Sequence, residues 1–336
     1  MNLPDYNFLS APLPLITLLH IFTFSLHLIA MNFMLGGVII VLWGGFNNRW
    51  EDLTVQKFVK LFPTAMAATI SLGIPPFLFL QLVYSKQVYA AAIMSGWFWL
   101  MIIPVLVVTY YCFYSVSFSQ KTNKQYRRLL LWVVLLGLLY VSFIYSSIFS
   151  MAERPAFMKS LYTLHQSGVM LNTNFGDYLF RWGHMVFGAI TIGGFFIGLV
   201  GRDNAQAFSV GKTFFLGGMI VTALLGTLYL FTLNEYWAVL MRRGTLYFLS
   251  LGIILSFSSL HFFFRKKFMI SGTMVFASLI TMVTTRHSLR LVRLAEDFDP
   301  SLIKIDPQWS IVFFFLFFFV LAIALIGYML RLYFND

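Results

Sequence analysis

The chain has 336 residues, of which 60% are hydrophobic and only 10% charged, with 39 Phe and a mean hydropathy of +0.82. A soluble domain carries about 25% charged residues, so this chain cannot coat a water-facing globule. A cytosolic enzyme, a nucleic-acid binder and a disordered chain are thereby excluded. The net charge of +11 reads as topology, because Lys and Arg collect in cytoplasmic loops of membrane proteins. The partner implied is lipid, not nucleic acid. The single cysteine, Cys112, excludes disulfides, zinc clusters and covalent c-type haem.

A membrane-spanning helix needs about 20 apolar residues. That test predicts nine spans, at 13–45, 62–85, 91–117, 128–150, 177–200, 211–233, 244–264, 267–287 and 308–332. The first apolar run is too long for a cleaved signal peptide and is expected to stay as a helix. Gly36, Gly37, Gly44 and Gly45 are expected to bend or fray its end. Gly73-Ile74-Pro75-Pro76 predicts a kink in the second span, which a bundle tolerates when neighbours satisfy the freed carbonyls.

Two longer loops follow the fourth and eighth spans. Residues 151–176 include a short amphipathic stretch with His165, and 288–307 begins with Arg290 and Arg293 at helical spacing. Of the 23 Lys and Arg, 13 fall after spans one, three, five and seven or near the C-terminus. The positive-inside rule then predicts an N-terminus outside and a C-terminus inside. The whole of 1–336 reads as one integral membrane domain, an all-α polytopic bundle. Its helices form a first four-helix group at about 13–150 and a second group at about 177–332. No internal repeat shows at the level of residues.

All 12 Asp and Glu lie in loops or at span ends. Intramembrane acids are the usual proton and cation sites of transporters, so their absence argues against an ion-coupled transporter. The polar groups left inside are histidines. His20 and His27 share a face of the first span, about 10.5 Å apart along its axis. His184 lies in the fifth span, His261 near the inner end of the seventh, and His287 at the outer end of the eighth. The predicted topology puts His20, His184 and Met282 at similar depth, with His27 nearer the midplane. Histidines on facing helices can hold haem b without covalent attachment, and Met can supply a second ligand. A lone intramembrane His is as readily an interhelical hydrogen bond. Gly36 and Gly37 after His27, and Gly188, Gly193 and Gly194 after His184, leave room for a macrocycle or for close helix packing.

The segment His27-Leu-Ile-Ala-Met-Asn-Phe-Met-Leu-Gly36 resembles the first-helix signature of cytochrome bd quinol oxidase subunit I. His184-Met-Val-Phe-Gly-Ala-Ile-Thr-Ile-Gly193 looks like that subunit's fifth-helix segment, with the same His-to-Gly spacing. The region 62–114, with Phe62-Pro63-Thr64-Ala65 and Gly73-Ile74-Pro75-Pro76, falls where that family has its second and third helices. The resemblance implies a bd-like fold, one or two b-type haems, and His27 and His184 as iron ligands. The departures are equally specific. The family's acidic oxygen-site motif is absent, the third span reads Met94-Ser-Gly-Trp-Phe-Trp-Leu-Met101 without an acid, and the quinol loop is reduced to a few residues around Asn234-Glu235-Tyr236-Trp237.

These readings together predict a haem b electron-transfer subunit, and the missing oxygen-site motif argues against oxygen reduction. It would link the quinone pool to a periplasmic c-type cytochrome within a larger complex of a bacterial inner membrane. Met282, His287 and His20 are candidates for the remaining axial ligand. Arg181, Arg286 and Arg290, at the outer rim, are candidates to pair with haem propionates, or else are interfacial anchors. His165, Glu153 and Asp177 are candidates to take the quinol proton. A haem-free quinone-site or anchoring subunit is the main alternative, and a transporter built from inverted repeats a further one.

Overall fold

A computed structural model describes residues 8–46, 53–118, 124–164, 166–242 and 244–335. The helices are α1 (Leu13–Phe46), α2 (Leu53–Lys60), α3 (Phe62–Met94), α4 (Gly96–Phe118), α5 (Lys124–Ala152), α6 (Pro155–Leu164), α7 (Phe175–Val200), α8 (Ala205–Thr232), α9 (Trp237–Arg242), α10 (Thr245–Phe264), α11 (Phe268–Leu294) and α12 (Trp309–Asn335). Among the described residues, nine helices are long and apolar enough to cross a membrane. They correspond one for one to the expected spans, so the chain is an all-α polytopic membrane protein.

The boundaries differ where polar residues are buried rather than exposed. The eighth span, expected to end at His287, continues as α11 to Leu294 and carries Arg290 and Arg293 inside the helix. The second span is longer than expected, and α3 runs through Pro75 and Pro76 without losing its helical backbone. Its one non-helical residue is Tyr84 (φ −117°, ψ 36°), eight positions beyond the expected kink. The Tyr84 ring is buried and lies beneath the Arg290 guanidinium, 5.4 Å from its centre. Gly36, Gly37, Gly44 and Gly45 do not fray α1, which stays helical to Phe46.

Helix starts are set locally where the chain re-enters the bundle. The Asn174 side chain accepts from the Asp177 amide at the start of α7, and Asn204 accepts from the Gln206 and Ala207 amides at the start of α8. These caps satisfy amides that a helix leaves unpaired at its first turn.

The helices pair within each of two groups along the chain, and α1 packs as fully on α7 as on α3. In the first, α1 packs on α3 and α4 on α5; in the second, α7 packs on α8 and α10 on α11. α1 and α7 cross at Gly36 and Gly193, so closely that a Cβ on Gly193 would lie 2.6 Å from the Gly36 carbonyl carbon. Here glycine is required by backbone contact, without helix distortion. Each central helix also reaches the other group, α1 touching α11 and α7 touching α5. α1 and α7 both begin at the end of the bundle that holds residues 153–177, called here the Glu153 end. α1 and α7 therefore run in the same direction. α12 stands apart, held by contacts such as Phe79–Phe315 at 5.2 Å, while Phe313, Phe314, Phe317 and Phe318 are exposed for lipid to cover.

Candidate functional site

The histidines of α1 and α7 are held by one device used twice. His27 Nδ1 lies 2.9 Å from the Thr69 carbonyl oxygen of α3, and His184 Nδ1 lies 2.8 Å from that of Thr222 in α8. A carbonyl only accepts, so each ring carries its proton on Nδ1 and keeps the lone pair on Nε2. Four residues after each threonine stands a glycine beside the imidazole. A Cβ on Gly73 would come within 2.9 Å of the His27 ring, and one on Gly226 within 2.8 Å of His184 Nδ1. Both residues are half-buried. The result is an oriented imidazole with a free Nε2 lone pair, the arrangement that metal-ligating histidines commonly show.

The crossing also fixes depth. His27 and His184 each precede the crossing glycines by nine residues, about 13.5 Å of helix. His184 is therefore level with His27, whereas the topology reading had paired it with His20. His20 lies seven residues nearer the Glu153 end, its Nδ1 donating to the Pro76 carbonyl at 3.0 Å. Phe24 stacks between the two α1 histidines, 5.8 Å from the His20 ring and 6.1 Å from that of His27. At the position of α7 equivalent to His20, seven before His184, stands Asp177.

Asp177 belongs to a buried charge cluster at the Glu153 end. Glu153, 2% exposed, receives Arg286 at 2.6 Å, Arg290 at 3.4 Å, Arg293 at 3.5 Å and Arg181 at 3.7 Å. Arg293 also bonds Asp177, and Arg154 bridges Asp177 at 3.7 Å and the exposed Glu235 at 3.4 Å. Arg286 donates further to the Tyr229 hydroxyl at 3.2 Å. Burial by itself would raise the Glu153 carboxyl, but the guanidiniums of Arg286, Arg181, Arg290 and Arg293 outweigh it and hold the group at about 2. A group that ionises so readily is a poor proton acceptor at neutral pH.

Sequence reasoning found the members of this cluster singly and missed that they meet. Arg181, Arg286 and Arg290 are not separate interfacial anchors; all three converge on Glu153, with Arg293 as a fourth. Helical spacing was the available signal, since positions 286, 290 and 293 share one face of α11. The partner carboxylates come from the end of α5 and the first turn of α7, which spacing cannot connect. Glu153 and Asp177, expected as proton acceptors, are both engaged by arginines. His165 lies outside the described residues.

The remaining candidates are dispersed. Met282 lies against α10, where Gly252 leaves room for its thioether. His287 and Arg290, on α11, are close electrostatic neighbours of His20. His287 Nδ1 is buried without a hydrogen bond. Among the described residues no three His, Cys, Asp or Glu gather to chelate a bare metal ion, so iron chemistry would need a ligand that supplies most of its own donors. His27 and His184 each offer an imidazole Nε2 to such a group, while the space beside Gly73 and Gly226 is filled by the imidazoles themselves. No protein-family model matches the chain, and no curated protein matches it.

Proposed function

We propose that the chain is a haem b-containing electron-transfer subunit of a bacterial inner-membrane respiratory complex. It relays electrons between membrane quinol and a periplasmic c-type cytochrome. The observation that carries this reading is the doubled imidazole device, with Nδ1 committed to a helix carbonyl, Nε2 free and a glycine beside the ring. His27 and His184 would hold haem iron, and Met282, His287 or His20 would supply a further axial ligand. When bound, haem b supplies reversible one-electron chemistry. The carbonyl bonds from Thr69 and Thr222 orient the imidazoles and raise their basicity, which lowers the potential relative to an unbonded ring.

In this reading the N-terminus and the Glu153 end face outward, as the distribution of basic loops suggests. Arg181 stands one turn outward from His184 and would meet the acid groups of a macrocycle ligated there; Arg286 lies beyond it on the same Glu153. Glu153 and Asp177, both engaged by arginines, drop out as candidates for the quinol proton.

The test is a dithionite-reduced minus oxidised spectrum of the detergent-purified protein, with a pyridine haemochrome assay. A b-type signal that falls in His184→Ala and in His27→Ala is the expected result. Folded protein without haem would overturn it. The second reading, a haem-free quinone-site subunit, would then stand on the two neighbouring unpartnered donors, His287 Nδ1 and Arg290 Nη1.

A further inference from the structure

The charge cluster at the Glu153 end does not balance. Arg154 is offset by Glu235 at the surface. The four remaining guanidiniums, of Arg181, Arg286, Arg290 and Arg293, face only two buried carboxylates, Glu153 and Asp177. No other described acid is paired with these four. Two positive charges are left over in a cluster whose side chains are 17% (Arg181), 18% (Arg286), 10% (Arg290) and 1% (Arg293) exposed. Uncompensated charge in a low-dielectric interior costs several kcal/mol per ion, so the excess calls for a counter-charge.

The hydrogen bonds point to the same lack. Arg181 Nη1, Arg290 Nη1 and Arg293 Nε are all buried and make none. Water could satisfy these donors but not the charge. A single monoanion would leave half of it.

We infer that this cluster is a receptor for a doubly charged anion, whose carboxylate or phosphate oxygens accept from Arg181, Arg290 and Arg293. Guanidinium groups suit such oxygens because their planar donors match them in pairs. The inference rests on the cluster alone and stands whether or not haem binds. Two sources carry the required chemistry: the paired acid groups of the cofactor proposed above, or a small dianion from the water at that face.

Inorganic phosphate in mildly alkaline buffer, where it is a dianion, is the probe. The melting temperature of haem-free purified protein should rise saturably with phosphate, beyond sodium chloride of equal ionic strength. Arg290→Gln should abolish the rise; Arg181→Lys is the milder variant should that one fail to fold, and the exposed Arg202→Gln should leave it intact. If haem is present, haem dimethyl ester, which lacks both acid groups, should bind at least about tenfold more weakly than haem, and Arg290→Gln should narrow that gap. A phosphate response lost on haem loading identifies the cofactor as the source, and one that persists identifies a free dianion. No response beyond chloride in haem-free protein, with equal binding of haem and its ester, would overturn the receptor.

Discussion

The α1–α3 pair and the α7–α8 pair perform the same operation on a histidine and then diverge seven residues away. Both fix an imidazole on a threonine carbonyl and clear its flank with a glycine. Toward the Glu153 end, the first pair continues with His20 on the Pro76 carbonyl, the second with Asp177 on Arg293. One helix pair therefore bonds its outer side chain to a neutral carbonyl, with the Arg290 charge nearby, and the other bonds it directly to a guanidinium. The shared part is dictated by the imidazole, which needs an acceptor on one nitrogen and space beside the ring. The divergent part is free to differ, and it is there that the two pairs acquire distinct electrostatics.

The largest expected effect tests the charged side of this comparison. Glu153→Gln leaves four guanidiniums around a neutral amide and should destabilise the protein by about 3–5 kcal/mol, read from unfolding in detergent. The pH dependence has a defined sign. The folded carboxyl ionises at about 2 against an ordinary 4.5, so its contribution is fully present above 4.5 and is lost as pH falls through about 2. That loss, about 3 kcal/mol, should be missing in Glu153→Gln. A variant within about 1 kcal/mol of the parent would mean that the cluster does not clamp α5, α7 and α11.

The crossing of α1 and α7 comes next. Gly36→Ala places a methyl group against the Ala189 carbonyl, where backbone meets backbone, and should cost about 1–3 kcal/mol. Gly217→Ala, with open space around its Cβ, should change stability by less than about 0.5 kcal/mol. Equal effects of the two would show that the α1–α7 contact is not tight. The smallest effects sharpen the histidine comparison. Gly73→Ala and Gly226→Ala crowd His27 and His184 from matching positions and should each weaken one carbonyl bond, with folding kept. In haem-containing protein each should shift a separate component of a redox titration; a shift of one common component would show that the two sites act as one.

How much of this was legible in the sequence follows from the range of each interaction. Span number and helical class depend on local hydropathy, which every window of the chain carries. His27 and His184 could be singled out because a polar side chain within a long apolar run is conspicuous by itself. Their partners could not. Thr69 and Thr222 contribute only a backbone carbonyl, which no residue type advertises, and the likeness rests on Thr69 with Gly73 and Thr222 with Gly226, too few positions to register as similarity. The end of α11 was misjudged for a related reason. Arg290 and Arg293 look like the start of a loop until carboxylates from α5 and α7 are brought against them.

Composition alone determined that this chain lives in a membrane as a bundle of helices, because too few polar side chains exist for any water-facing surface. Tertiary structure alone decided that α1 and α7 cross at Gly36 and Gly193, that two imidazoles present Nε2, and that four arginines close around one glutamate. Burial follows from a sum over residues. The pairing of particular groups depends on contacts between helices 38 to 133 residues apart, and only the packed bundle specifies them.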